Sequence, residues 1–125
     1  MASKVFEILV RMNGSEMQID PMNMDIDFGG ERELVWRLVE ESEGAGKHEF
    51  HTESIHFETM HPIRIDKVTK TEIRAVVFNQ NEMGQAAAYT YRLCVCVPKY
   101  NVDVCYPSHC MTIMSLKPTI TNLPR

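Results

Sequence analysis

The chain predicts an all-β fold, an antiparallel sandwich of about seven to nine short strands. Three observations carry that expectation. From Tyr89 to Val97 the large apolar residues Tyr89, Tyr91, Leu93, Val95 and Val97 take every second position, with Thr90, Arg92, Cys94 and Cys96 between them. A strand sends successive side chains to opposite faces, so this alternation describes a strand buried on one side. The same period of two recurs along most of the chain, and turn signals interrupt it at short intervals.

Taken in order, Phe6, Ile8, Val10 and Met12 alternate with Glu7, Leu9 and Arg11 to give a first strand, ended by the Asn13–Gly14 turn signal. Met22, Met24, Ile26 and Phe28 alternate with Asn23, Asp25 and Asp27 in the cleanest amphipathic strand, which Gly29–Gly30 stops. Residues 31–41 fit two patterns. Leu34, Val35, Leu38 and Val39 would form a helical stripe, whereas Leu34, Trp36 and Leu38 form one strand face. Glu and Arg favour the helix slightly, but the neighbouring strands and Trp36 favour a half-buried strand, and the strand is adopted.

Residues 43–47 are a loop by composition. Ile55 and Phe57 begin another alternating segment that Pro62 closes, and Ile63 and Ile65 mark a short edge segment. Glu72 to Phe78 is a β-branched run stopped by Asn79-Gln80-Asn81, and Met83 to Ala88 leads across Gly84 into the Tyr89 strand. Pro98 ends that strand; Tyr100 to Cys105 is expected to continue it past a kink, and Met111 to Leu116 adds a last run before the tail. The expected core is Phe6, Ile8, Val10, Met24, Ile26, Phe28, Trp36, Leu38, Ile55, Phe57, Val77, Tyr89, Tyr91, Leu93 and Val95. Residues 1–125 read as one domain, without internal repeat, low-complexity tract or linker.

Composition narrows the function classes. A chain of 125 residues, 44% hydrophobic and 24% charged, has the proportions of a soluble globular domain with enough length for a two-layer core. Its net charge of -4, with Lys and Arg scattered, gives no electrostatic footprint for nucleic acid or anionic lipid. No apolar segment approaches the ~18 residues of a membrane helix. Met1 to Lys4 lead into an alternating strand rather than an apolar signal region, so the expected location is cytoplasmic.

The four cysteines, Cys94, Cys96, Cys105 and Cys110, all lie in the last third of the chain. In a reducing cytosol the simplest expectation is four thiols, some buried as small hydrophobes. Cys94 and Cys96 share a strand face, a geometry that strains a disulfide between them. Cys105 and Cys110 flank Tyr-Pro-Ser-His; as a hairpin loop, that segment would set the two opposite each other and make a cross-strand disulfide available.

Cys105, His109 and Met114 form the sharpest chemical constellation. A blue-copper site joins a Cys thiolate and His imidazole to a weak axial Met, and cupredoxins are β-sandwiches with those residues on one late loop. Here three residues separate Cys105 from His109, no Gly precedes Met114, and none of His48, His51, His56 and His61 has the context of the second copper histidine. Zinc would draw on Cys94, Cys96, Cys105, His109 and Cys110, although no Cys-x2-Cys knuckle is present. Copper or zinc at the Cys105/His109 region is therefore the alternative reading.

The remaining constellations favour structure over chemistry. Met17, Met22 and Met24 are soft ligands for copper(I) in principle, but Met22 and Met24 run in phase with Ile26 and Phe28 and read as core. Asn23-x-Asp25-x-Asp27 lacks the Gly and Glu of a calcium loop, since Phe28 and Leu34 stand at those positions. His48, His51, His56 and His61 lie near Glu49, Glu53 and Glu58, and in strand geometry His56 and Glu58 face solvent. A solvated, pH-responsive face is expected there rather than a hydrolytic metal site. There is no Gly-x-Ser-x-Gly elbow and no phosphate-binding glycine loop.

Ile26-Asp27-Phe28, Val35-Trp36-Arg37-Leu38, Ile55-His56-Phe57, Tyr89-Thr90-Tyr91-Arg92-Leu93 and the ending Lys117-Pro118-Thr119-Ile120-Thr121-Asn122 together resemble small bacterial β-sandwich proteins. In those, a Trp-containing strand follows a Gly turn, a Tyr-x-Tyr strand comes late, and an Asp-Pro-x-Ile-x-Asn-like tail closes the sheet; Lys117 stands here in place of the Asp. The resemblance implies an immunoglobulin-like sandwich of uncharacterised function and brings no catalytic residues.

The function expected is a non-enzymatic binding or structural module with a protein partner or a second copy of itself. Open edge strands pair with other chains unless protected, and symmetric dimers are the commonest assembly. No catalytic or cofactor-binding residue is expected. Metal binding through Cys105, His109 and Met114 is the runner-up, and a hydrolase centred on His51 and His56 the third reading.

Overall fold

Ten strands and no helix are found among the residues described, which in this computed structural model are 5–14, 16–41, 47–58, 61–106 and 117–125. They are β1 Val5–Asn13, β2 Glu16–Asp20, β3 Asn23–Ile26, β4 Gly30–Glu40, β5 Ile55–Phe57, β6 Ile63–Val68, β7 Glu72–Asn79, β8 Ala87–Val97, β9 Val102–Tyr106 and β10 Thr119–Asn122. One sheet runs β2-β1-β4-β7-β6, and the other runs β3-β10-β8-β5 with β9 also on β8. Leu93 pairs with both Ile55 and Tyr106, so β5 and β9 flank opposite sides of β8. The all-β class is as expected, in ten strands rather than seven to nine.

The sheets are mixed, which corrects the purely antiparallel expectation. β1 runs parallel to β4, with Ile8 opposite Trp36 and Val10 opposite Leu38. β10 runs parallel to β3, with Ile120 opposite Met24. The connections explain the first case. After the β1–β2 hairpin the chain crosses to the other sheet as β3, then returns beside β1 in the same direction.

The segment expected as a strand over residues 31–41 does form one, as far as Glu40. Between β1 and β7 the segment gains a hydrogen-bonded neighbour on each side, and this outweighs the modest helix propensity of its Glu and Arg. Two expectations fail locally. Glu16–Asp20 is a strand that was not anticipated, although Met17 and Ile19 alternate within it, because the reading stopped at the Asn13–Gly14 turn. Tyr100–Cys105 does not prolong β8: the chain reverses at Pro98–Asn101 and β9 pairs antiparallel with β8. Asn101 takes a positive φ of 52° in that turn, a conformation Asn tolerates better than most residues. Residues 111–116 lie outside the described residues.

Period-two faces meet between the sheets. Ile8, Val10 and Met12, Leu34 and Trp36, and Ile73, Ala75 and Val77 project from the first sheet; Ile26, Ile120, Tyr91, Leu93 and Val95 project from the second. Phe6, Met24, Leu38, Ile55, Phe57 and Tyr89 pack against them half-buried, as do Met17 and Met22, which supports the core reading of the methionines. Phe28 is the expected core residue that stays outside this cluster, half-buried with the Arg125 guanidinium 5.6 Å from its ring centre. At the centre, Trp36 Nε1 donates to the Tyr91 hydroxyl at 3.1 Å, and the rings meet edge to face with centroids 5.7 Å apart.

Candidate functional site

The interior changes from apolar to polar at one end of the sandwich, and the sequence phase causes it. The inward positions of β7 run Ile73, Ala75, Val77 and then Asn79; those of β10 run Ile120 and then Asn122. Asn79 is fully buried and Asn122 nearly so. Buried amides must find partners, and here they find them across the sheets. Asn79 Nδ2 donates to the Ile26 carbonyl at 2.7 Å and the Leu123 carbonyl at 2.9 Å, and its Oδ1 accepts from Asn81 N at 3.1 Å. Asn122 Nδ2 donates back to the Phe78 carbonyl at 3.2 Å. Asn81 Nδ2 donates to the Gln85 and Asn122 carbonyls at 2.7 and 3.0 Å, while its Oδ1 accepts from Met83 N at 3.0 Å. The three asparagines tie the end of β7 to β3 and β10.

Beside this tie lies a groove of about 370 Å³, lined by Pro62, Phe78, Gln80, Asn81, Met83, Ala87, Tyr89 and Asn122. Ligand sites commonly begin at about this size. Its lining residues carry no formal charge. Phe78 and Met83 are large apolar side chains left open to solvent, 42% and 84% exposed. Among the described residues, Asn122 Oδ1 is the one buried side-chain polar atom without a hydrogen-bond partner. Its orientation is dictated from the other end of the amide: rotating the group would set its oxygen against the Phe78 carbonyl, two acceptors facing each other. The unpaired acceptor therefore belongs to a lining residue of an uncharged, largely apolar groove.

A second concavity of about 300 Å³, lined by Arg11, Asn13, Glu16, Met17, Gln18 and Glu41, sits by the β1–β2 hairpin. Its charges neutralise one another or nearby groups: Arg11 lies 3.3 Å from Glu41 and 3.6 Å from Asp20.

The sequence candidates that lie among the described residues are found elsewhere. Cys105 is bonded to Cys94, not to Cys110, and two of the four expected thiols are thereby gone. The β8–β9 register sets Cys94 opposite Cys105 with their Cα atoms 4.0 Å apart, both on the face away from the core. A disulfide sulfur offers no thiolate, so copper or zinc at Cys105 requires this bond to be reduced. His109, Cys110 and Met114 lie outside the described residues. Among those described, no group of three or more His, Cys, Asp or Glu side chains converges to hold a metal ion.

The histidines do not share one solvated face. His48 is buried, and its ring Nδ1 lies 2.8 and 3.0 Å from the two Glu40 carboxylate oxygens while its backbone N donates to the same group at 2.6 Å. His51 is half-buried, with Nε2 3.9 Å from Asp103; His56 is exposed as expected, and His61 stacks on Phe57 with ring centres 4.1 Å apart. Ser54, whose Oγ accepts from His51 N at 2.8 Å, is fully buried and closed to a substrate. Partial burial, then the carboxylates of Asp103 and Glu49, push the Cys96 thiol up, which keeps it protonated and a poor nucleophile near neutrality.

The groove itself was missed by the reading of the sequence, which took Asn79-Gln80-Asn81 as a strand stop. A signal was present: Asn79 and Asn122 continue the inward phase of their strands, a polar residue where the pattern calls for an apolar one. Compared with known proteins, the chain matches no family model and no curated protein.

Proposed function

We propose that the chain is a non-enzymatic binding module whose ligand occupies the groove between Pro62, Phe78, Met83, Tyr89 and Asn122. The observation that carries this reading is an uncharged concavity with exposed Phe78 and Met83 in its wall, beside the buried, unpartnered Oδ1 of its lining residue Asn122. Buried acceptors are rarely left unpaired, and a donor from a bound molecule or an ordered water would satisfy this one. Binding through the groove is favoured over edge pairing by the strands themselves. β5 is three residues long, β6 carries Arg64, Asp66 and Lys67 and a register shift, and β2 and β3 alternate with Glu, Gln, Asn and Asp. Such features discourage strand addition. The Cys94–Cys105 bond favours an oxidising compartment over the cytosol expected from the sequence.

A ligand-observed NMR screen of neutral fragments tests the reading. Fragments that bind the native chain should be lost in the Phe78→Glu variant, where a carboxylate enters an uncharged wall at a residue exposed enough to tolerate it. Binders retained in full by that variant contradict the groove.

A further inference from the structure

We propose that the outer edge of β9 docks the β9 of a second copy of this chain, joining two sheets across a two-fold axis at Val104. This surface is separate from the groove. Among the described residues, β2, β3, β5, β6 and β9 each have a neighbouring strand on one side only. The first four are short, charged, shifted in register or polar at alternate positions. β9 carries one charge, Asp103, among Val, Cys and Tyr, and pairs with β8 without a shift. That composition favours a strand and does little to discourage the addition of another.

The direction of the β9 backbone follows from β8. Cys94 N donates to the Ser54 carbonyl at 2.7 Å, and Cys96 exchanges hydrogen bonds with Glu49 at 2.8 Å each way. Both cysteines therefore spend their backbone groups on the side away from β9. Residues opposite each other in an antiparallel ladder share this state. Cys105, opposite Cys94, and Asp103, opposite Cys96, thus turn their N–H and C=O groups out of the sheet. The 4.0 Å between the Cys94 and Cys105 Cα atoms is the close spacing of such a pair. β2 lies near β9 from the facing sheet but forms no ladder with it. Among the described residues, the outward backbone groups of Asp103 and Cys105 have no hydrogen-bond partner.

A second β9 fits this edge better than a free peptide. Turned antiparallel about Val104, it sets Asp103 opposite the partner's Cys105 and Cys105 opposite the partner's Asp103, so outward groups meet outward groups. Val102, 51% exposed, comes opposite the partner's Tyr106. Centring on Asp103 instead would set two carboxylates against each other, which disfavours that register. The Cys94–Cys105 bond already holds β9 to β8. Docking then costs little ordering, whereas a free peptide would have to be fixed residue by residue. One five-residue edge buries less than the roughly 1,200 Å² of a stable interface, so the dimer is weak, with a Kd of roughly 0.1–1 mM.

Sedimentation equilibrium of the full chain at concentrations up to about 1 mM tests this, and should show a monomer–dimer equilibrium. Asp103→Pro is the discriminating variant, because proline removes an N–H that β8 does not use and places its ring on the edge. It should keep the native melting temperature and weaken association by about tenfold or more. Amide exchange reads the same geometry in the unaltered chain. Val104 should be protected at every concentration, and Asp103 and Cys105 should gain protection only as concentration rises. A chain that stays monomeric, or a dimer that Asp103→Pro leaves intact, overturns the proposal. If Asp103→Pro unfolds the chain, the exchange pattern decides: Asp103 and Cys105 already protected at low concentration overturn the proposal, and protection that grows with concentration upholds it. A dimer that persists in denaturant without reductant is a thiol crosslink and also overturns it. Association lost in Phe78→Glu but kept in Asp103→Pro would place the contact at the groove, with the same consequence.

Discussion

Tyr91 carries a hydroxyl into the apolar interior, where it accepts the Trp36 Nε1 hydrogen. Replacing it with phenylalanine keeps the ring but leaves a buried N–H unpaired, so Tyr91→Phe should cost about 1–3 kcal/mol in urea unfolding. The Trp36→Phe/Tyr91→Phe pair should cost less than the two single changes added together, because the donor and its acceptor then leave together. Burial, eased slightly by the Trp36 hydrogen bond, also pushes the Tyr91 pKa above its ordinary value. The folded chain then holds this proton where the unfolded chain releases it. Stability from this group is full below about pH 10, the ordinary tyrosine value, and declines as pH rises past it. Alkaline unfolding should show that decline, and Tyr91→Phe should reduce its slope. Asn79 acts with higher stakes. Asn79→Ala orphans the Leu123 carbonyl and the Asn81 N–H at once, while the Ile26 carbonyl keeps the Leu123 N–H, with an expected loss of roughly 2–4 kcal/mol. Trp36 and Tyr91 were legible as core because they obey the alternation. Asn79 and Asn122 were not, since a polar residue at an inward position looks like a strand end until its cross-sheet carbonyls are known.

At the scale of elements, the alternation locates strands but says little about partners. β4 shows both sides of this. Its strand character follows from its neighbours, yet its parallel pairing with β1 depends on β3 crossing between sheets, which no local pattern encodes. The outer face of the first sheet is written in charge: Glu7 pairs with Arg37, Arg37 with Glu72, Glu72 with Arg74 and Arg74 with Glu33, across β1, β4 and β7. These groups are partly solvated, so each pair contributes at most about 1 kcal/mol, but together they keep the face hydrated. Beneath them Val35 is wholly buried on that outer side. The β8–β9 hairpin carries the disulfide, whose partners are 11 residues apart in sequence. A closed loop of this size is worth up to about 3 kcal/mol, and the hairpin turn already lowers the entropy to be gained. Cys94→Ser/Cys105→Ser should therefore lower stability by about 1–3 kcal/mol, and in the native chain both residues should resist alkylation until a reductant is added. Equal labelling of Cys94 and Cys96 without reductant would contradict the pairing. The sequence reading expected four thiols and made only a Cys105–Cys110 bridge available, because β9 was read as an extension of β8 rather than its return.

Across the whole molecule, two five-stranded sheets enclose an apolar interior that ends in an amide-tied rim, and the groove opens beside that rim. The sandwich was readable from period and turns. The site was not, because it is made by the ends of β7, β8 and β10, which meet only in the folded chain, and because its residues carry no catalytic signature. The claim that this rim binds a ligand is tested most directly by an amide chemical-shift map of the ¹⁵N-labelled chain with the strongest neutral fragment. The account predicts the largest shifts at Phe78, Asn81, Met83, Ala87, Tyr89 and Asn122, with the charged face of the first sheet unmoved. Largest shifts on that charged face, or around the Cys94–Cys105 hairpin, would contradict it.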